Sequence, residues 1–231
     1  MKKLLIILSL IIFSTNASIF VSGKTAQITD KTTITLCSGN ITQAQVDAIV
    51  NAANESLLAG GGVCGAIFAA AGKAQLQAEC DAYPILCGTN MVRCSTGQAK
   101  ITSSCRLLNK GIKYIIHAVG PDCRTITDEK EQDALLRSTY ENALALADHH
   151  GITSIAFPFI SSAIYAFPKE RAARIALETV MQYTLEHKNS THLKQINFVL
   201  FSPDDYELFD ETIIIFKQVS YITGKTISTF K

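Results

Sequence analysis

The chain has almost no net charge, no long block of like charge and no internal repeat. Its 21 Lys and Arg stand against 20 Asp and Glu, a formal charge of +1 over 231 residues. A bulk nucleic-acid binder is strongly basic, so that class is excluded and no nucleic-acid partner is expected. No charge run is long enough for an interaction tail, and no fixed period points to a solenoid or propeller. Cysteines at CxxC spacing are missing, and the five histidines do not cluster with the seven cysteines. Zinc therefore has no support, and neither a metal nor another cofactor is expected. Seven is an odd number, so at least one thiol is unpaired within a monomer. Several cysteines read as small buried apolar residues. GxxxxGKS/T does not occur, which leaves no lysine for a triphosphate.

The first residues have a different character. Lys2 and Lys3 precede LLIILSLIIF, ten residues long and too short to span a bilayer comfortably. Small residues around Ala17 follow. This three-part layout predicts a secretory signal peptide over residues 1–17, with export and no stable membrane association after its removal. A linker is expected at 18–31, one folded domain at 32–218 and a tail at 219–231. The length suits a single sizeable domain, expected as a monomer.

Apolar runs bounded by turn residues predict strands at 32–36, 47–50, 113–118, 154–157 and 195–201. Helical spacing of apolar residues predicts helices at 65–81, 129–149, 168–187 and 204–218. Strands and helices alternate, which predicts an α/β fold with a buried, mostly parallel sheet and helices on both faces. Ligands then bind beyond the carboxyl ends of the strands. His117, inside an apolar strand, reads as a satisfied core histidine.

Two strand–helix junctions carry the chemistry. In VNAANESLLAGGGVCGAIFAAAG (50–72), Gly60, Gly61 and Gly62 allow backbone angles closed to other residues and a close ligand approach. The helix that follows adds the positive end of its dipole, so the junction suits a phosphate. In PFISSAIYAFP (158–168), Ser161, Ser162 and the backbone can face the same diphosphate from the other side, with Tyr165 against a sugar. Asn54 is a strand-end carboxamide able to donate to and accept from a ribose hydroxyl or a scissile ester. Asn51 can instead brace the loop.

In order along the chain stand GNIT (39–42), VDAIVNAAN (46–54), GGGVCGAI (60–67), TGQAKIT (96–102), YIIHAVGP (114–121) and FISSAIYAFPKERAARIALETV (159–180). Together they resemble a macro domain, the family that binds ADP-ribose. The resemblance covers residues 32–218 and implies a three-layer α/β/α sandwich with a mixed, mostly parallel sheet. It implies ADP-ribose or an ADP-ribosylated protein as partner and hydrolysis of ADP-ribosyl esters as activity, with a non-catalytic reader as the alternative. Asn40 would accept from the adenine amino group where the family usually has Asp, and Ile41 would touch the adenine. Ala53 and Asn54 would lie at the distal ribose. Gly60, Gly61, Gly62 and Val63 would form the first diphosphate loop. Ser161, Ser162, Ala163, Ile164, Tyr165 and Ala166 would form the second. Phe201, or else Phe198, would stack on adenine.

Asn54 and Cys64 occupy the positions with catalytic roles. The hydrolase branch reads GGGVDG, and here Cys64 replaces its aspartate. The resemblance then implies a water positioned by the ligand's own phosphate, with Cys64 filling space more than acting as a base. Phe68 stands where the family often has histidine. Ala163 and Ala166 replace loop glycines, which costs about 1–2 kcal/mol wherever φ must be positive.

Overall fold

The computed structural model describes residues 21–223. The expected signal peptide at 1–17 and the last part of the expected tail, 224–231, lie outside the described residues. Seven strands form one sheet: β1 (Val21–Gln27), β2 (Thr33–Ser38), β3 (Ala48–Ala52), β4 (Ala99–Ser103), β5 (Tyr114–Ala118), β6 (Ser154–Phe157) and β7 (Gln195–Leu200). Five helices accompany them: α1 (Gly62–Ala71), α2 (Lys73–Asp81), α3 (Glu129–His149), α4 (Lys169–Glu186) and α5 (Pro203–Thr223). The strand order is β1-β2-β7-β6-β3-β5-β4, parallel from β2 to β5 and antiparallel at both edges. The expected three-layer sandwich with a mixed, mostly parallel sheet is what forms.

Alternation along the strands builds the layers. Ile34, Leu36, Ala48, Val50, Ile116, Ala118, Ile155, Phe157, Ile196 and Phe198 face α3, α4 and α5 in one core. Cys37, Ile49, Ile115, Ala156 and Val199 face α1 and α2 in a second. Because the central strands are buried on both faces, they read as continuous apolar runs. Among the described residues no helix is long and apolar enough to cross a membrane.

Four details depart from the sequence reading. Residues 21–27, expected as linker, are edge strand β1. Its VSGKTAQ carries almost no apolar signal, and tertiary pairing holds it. Lys24 pairs with Asp210, and the Lys24 N–H donates to Tyr206 Oη at 3.1 Å. A Cβ at Gly23 would sit 2.0 Å from that same oxygen, so only glycine fits. Edge strand β4, another short polar stretch, also escapes prediction. The single helix expected at 65–81 is two helices: Gly72, at φ +91°, breaks it, and α1 starts three residues earlier, at Gly62. Finally, α5 runs to Thr223, past residue 218 and into the expected tail.

Asp47, at the far end of β3 from the candidate site, ties three strands. Burial opposes its ionisation, but bonds from Lys113, Thr153 and Ser154 outweigh that and hold its carboxyl well below the usual range.

Candidate functional site

β3 and β6 are adjacent and parallel. The chain leaves β3 for α1 on one face of the sheet and leaves β6 for α4 on the other. The loops after these strands must diverge, and the crevice between them is a topological switch point. A cleft of about 270 Å³ lies there. Ala53, Asn54, Gly60, Gly61, Gly62, Val63 and Cys64 line one side; Ser161, Ala163, Ile164 and Tyr165 line the other. The two junctions singled out in the sequence therefore meet. A Cβ on Gly61 would lie 3.6 Å from Ile164 Cδ1.

On the first loop, Gly61 is the extended cap of α1, and Gly62 has φ +57° with open space where a Cβ would be. The first-turn N–H groups of α1 have no intrahelical acceptor and lie at the cleft. This is the geometry of an anion site.

On the second loop, Ser161 takes φ +63° and is 7% exposed, and its Oγ has no hydrogen-bond partner among the described residues. An orphaned hydroxyl costs free energy unless a ligand or water takes it up. Ser162 is committed elsewhere: its Oγ donates to Phe159 O at 2.9 Å. Of the two alanines that replace glycine, only Ala166 has a positive φ, +53°. Ala163 adopts an ordinary conformation and its substitution is free of that strain. Gly120, not singled out from sequence, also lines the cleft. A Cβ there would be 2.2 Å from Ser161 Oγ and 2.6 Å from Ile160 Cγ2. The Gly-Pro after β5 was its only signal, and it reads as a strand stop. Ala52, Phe159 and Ile160 complete the lining and were missed because they read as core.

The loop-bracing role expected of Asn51 falls to Asn54. Asn54 braces the loop: its Nδ2 donates to Leu58 O at 2.7 Å and its Oδ1 accepts from Leu58 N at 3.0 Å. Each atom still has one site free for a ribose hydroxyl, since a carboxamide offers two donors and two lone pairs. Asn51 is buried beneath the cleft. Its Nδ2 lies 3.1 Å from His117 Nδ1 and 3.6 Å from Cys64 Sγ, while its Oδ1 has no partner among the described residues.

Thr102 Oγ1 donates to Ser103 O, so it accepts from His117 Nε2–H at 3.0 Å. That fixes the neutral tautomer with a bare Nδ1, which accepts from Asn51. Burial pushes the His117 imidazole down to about 4. Cys64, 5% exposed, is held from both sides. Gly60 N–H donates to its sulfur at 3.4 Å, Asn51 Nδ2 points at it, and its S–H faces Leu58 O at 3.8 Å.

The residues expected at adenine lie outside the enclosed cleft, by the adjacent strands β2 and β7, where Ser38 pairs with Leu200. Asn40 caps the 3-10 turn Ile41–Gln43. Its Oδ1 accepts from both Thr42 N and Thr42 Oγ1 at 3.0 Å. Both lone pairs are used, so the expected acceptor for an adenine amino group is already occupied. Ile41 is 3% exposed and packs in the second core, leaving little of its side chain for a ligand. Phe201 is 82% exposed and free to stack, whereas Phe198 is wholly buried against Tyr140, Phe157 and Phe209 and is not the stacking aromatic. Ser162 and Ala166 do not line the cleft. Among the described residues no group of His, Cys, Asp and Glu could hold a metal ion.

Known proteins share this arrangement. The Macro domain family model matches residues 50–176. O-acetyl-ADP-ribose deacetylase 1 of Pantoea vagans is 43% identical over 176 residues, 76% of this chain and 95% of that protein. ADP-ribose glycohydrolase MACROD2 of Xenopus laevis is 44% identical over 177 residues, 76% of this chain but 38% of that protein. Among solved structures, the Oceanobacillus iheyensis macrodomain with ADP superposes with a TM-score of 0.76 at 37% identity, covering 87% of this chain and 100% of that one. The Trypanosoma brucei macrodomain in complex with ADP-ribose gives 0.66 at 34% identity, covering 78% of this chain and 68% of that one. With the matching order of motifs and the crevice at β3 and β6, these likenesses place the chain in the macro domain family.

Proposed function

We propose that the chain binds ADP-ribose in this cleft and hydrolyses ADP-ribosyl esters, either on mono-ADP-ribosylated protein or in O-acetyl-ADP-ribose. One observation carries the reading: the Gly60–Gly62 loop and the Ser161 loop close on the same cavity, with Gly61 facing Ile164 and Ser161, whose buried hydroxyl has no partner among the described residues, in the lining. Backbone amides from both sides suit a diphosphate, and the deacetylase and glycohydrolase relatives support the chemistry.

In the reaction, the loops fix the diphosphate and the free donor and acceptor of Asn54 orient the distal ribose. A phosphate oxygen of the substrate holds the attacking water and accepts its proton. Water adds across the ester, giving a free hydroxyl on one product and a carboxylic acid on the other. No side chain at the cleft supplies a strong base, so turnover is slow and assisted by the substrate.

The second reading is a non-catalytic reader. Cys64 at the aspartate position favours it. Titration with ADP-ribose, followed on the same sample by assay against O-acetyl-ADP-ribose and a mono-ADP-ribosylated protein, separates the two. Release of product supports the enzyme; saturable binding with no product over long incubation selects the reader; no binding sinks both. The charged, apolar and small-residue layout of 1–17 further supports export of the mature domain, to be checked by N-terminal sequencing of the protein recovered outside the producing cytoplasm.

A further inference from the structure

We infer that Arg124 is a positioning residue for the far end of the cleft: clamped by Asp122, its guanidinium holds the Tyr165 ring against the sugar that follows the diphosphate. The inference rests on reading the cleft as an ADP-ribose site.

Tyr165 lines the cleft and is half-buried. The turn after β5 constrains its loop. Cys123 N donates to Tyr165 O at 2.9 Å, joining this turn to the second diphosphate loop. Within the turn, Thr125 N and Ile126 N both donate to Asp122 O at 3.0 Å, so its backbone is closed. Asp122 then grips Arg124 as a fork: Nε to Oδ1 at 2.8 Å and Nη2 to Oδ2 at 2.6 Å, with the Arg124 N–H on Oδ1 at 3.1 Å. A planar guanidinium held at two points has little freedom left. Its carbon lies 5.8 Å from the centre of the Tyr165 ring. The guanidinium thus lies over the ring of a residue that itself lines the cleft.

The Arg124 side chain is 53% exposed, so solvent weakens the contact and the effect is small. Because Asp122 neutralises Arg124, the pair is not a general attractor for anions. The consequence is selective: it acts on a ligand that reaches Tyr165 and not on one that stops at the diphosphate.

Calorimetric titration with ADP-ribose and with ADP, which lacks the distal ribose, reads this directly. Arg124→Ala should raise the Kd for ADP-ribose about threefold and leave that for ADP unchanged. Asp122→Asn should shift it in the same direction by loosening the fork. In a Tyr165→Ala background, Arg124→Ala should cause no further change, the mark of an effect that travels through the ring. Equal weakening of both ligands, persistence of the effect without Tyr165, or no change for either ligand overturns the inference. Wild-type protein that binds ADP-ribose while failing these tests leaves the reading of the cleft standing; wild-type protein that binds neither nucleotide overturns both.

Discussion

Gly61 and Ile164, distant in sequence and on different strand–helix junctions, face each other so closely that a Cβ on Gly61 would lie 3.6 Å from Ile164 Cδ1. The crevice is one side chain wide at this point. A methyl group fits at van der Waals contact, and anything larger must enter the space a diphosphate would fill.

Gly61→Val should therefore weaken ADP-ribose binding without abolishing it, while the melting temperature stays near wild type, since Gly61 has negative φ and is exposed. Gly120→Ala should act differently. Its Cβ would collide with Ser161 Oγ and Ile160 Cγ2, so binding is lost together with about 1–3 kcal/mol of stability. Calorimetry with ADP-ribose and thermal denaturation distinguish the two effects.

The two loop alanines should respond oppositely to glycine. Ala166 has φ +53°, and Ala166→Gly should stabilise the protein by about 0.5–1 kcal/mol as left-handed strain is relieved. Ala163→Gly relieves nothing and should be neutral or slightly destabilising. Denaturant midpoints measure both.

Asn40 holds the Ile41–Gln43 turn with its one oxygen. Asn40→Asp keeps that cap, because either carboxylate oxygen accepts from Thr42, and supplies a second oxygen with a negative charge. The expected result is unchanged stability and about fivefold tighter ADP-ribose binding, read by titration.

Cys64→Asp should raise the hydrolytic rate on O-acetyl-ADP-ribose by about 10²-fold, the lower range for a positioned general base. Two N–H donors, from Gly60 and Asn51, already point at the Cys64 sulfur and are ready for a carboxylate. Initial rates for both proteins at saturating substrate provide the check. If neither turns over while both bind ADP-ribose, the reader is the correct reading.

His117 predicts an acid sensitivity. Its folded value of about 4 lies below the ordinary 6.5, so between these pH values the unfolded chain takes up a proton that the folded chain refuses. Stability is full above pH 6.5 and falls as pH drops toward 4, by up to about 3 kcal/mol. His117→Gln should remove this part of the slope. Comparing denaturant midpoints of the two proteins at pH 7 and pH 4.5 isolates it from the carboxylates they share.

The amino-acid sequence alone determined the central architecture, because buried parallel strands must be apolar on both faces and helices must repeat at 3.6 residues. It also named both loops that line the cleft, since three consecutive glycines before a helix and paired serines after a strand are local features. What it left open depends on partners distant in the chain. β1 and β4 are largely polar, and their places come from pairing with β2 and β5. That Ala166 and not Ala163 is strained is a matter of φ, which residue type does not set. That Asn54 and not Asn51 braces the loop turned on where Leu58 and His117 lie. The Arg124–Tyr165 stack joins two loops that only the sheet order makes neighbours. Side-chain chemistry is written residue by residue, but which groups converge on one cleft is decided by strand order, and only the folded sheet contains that.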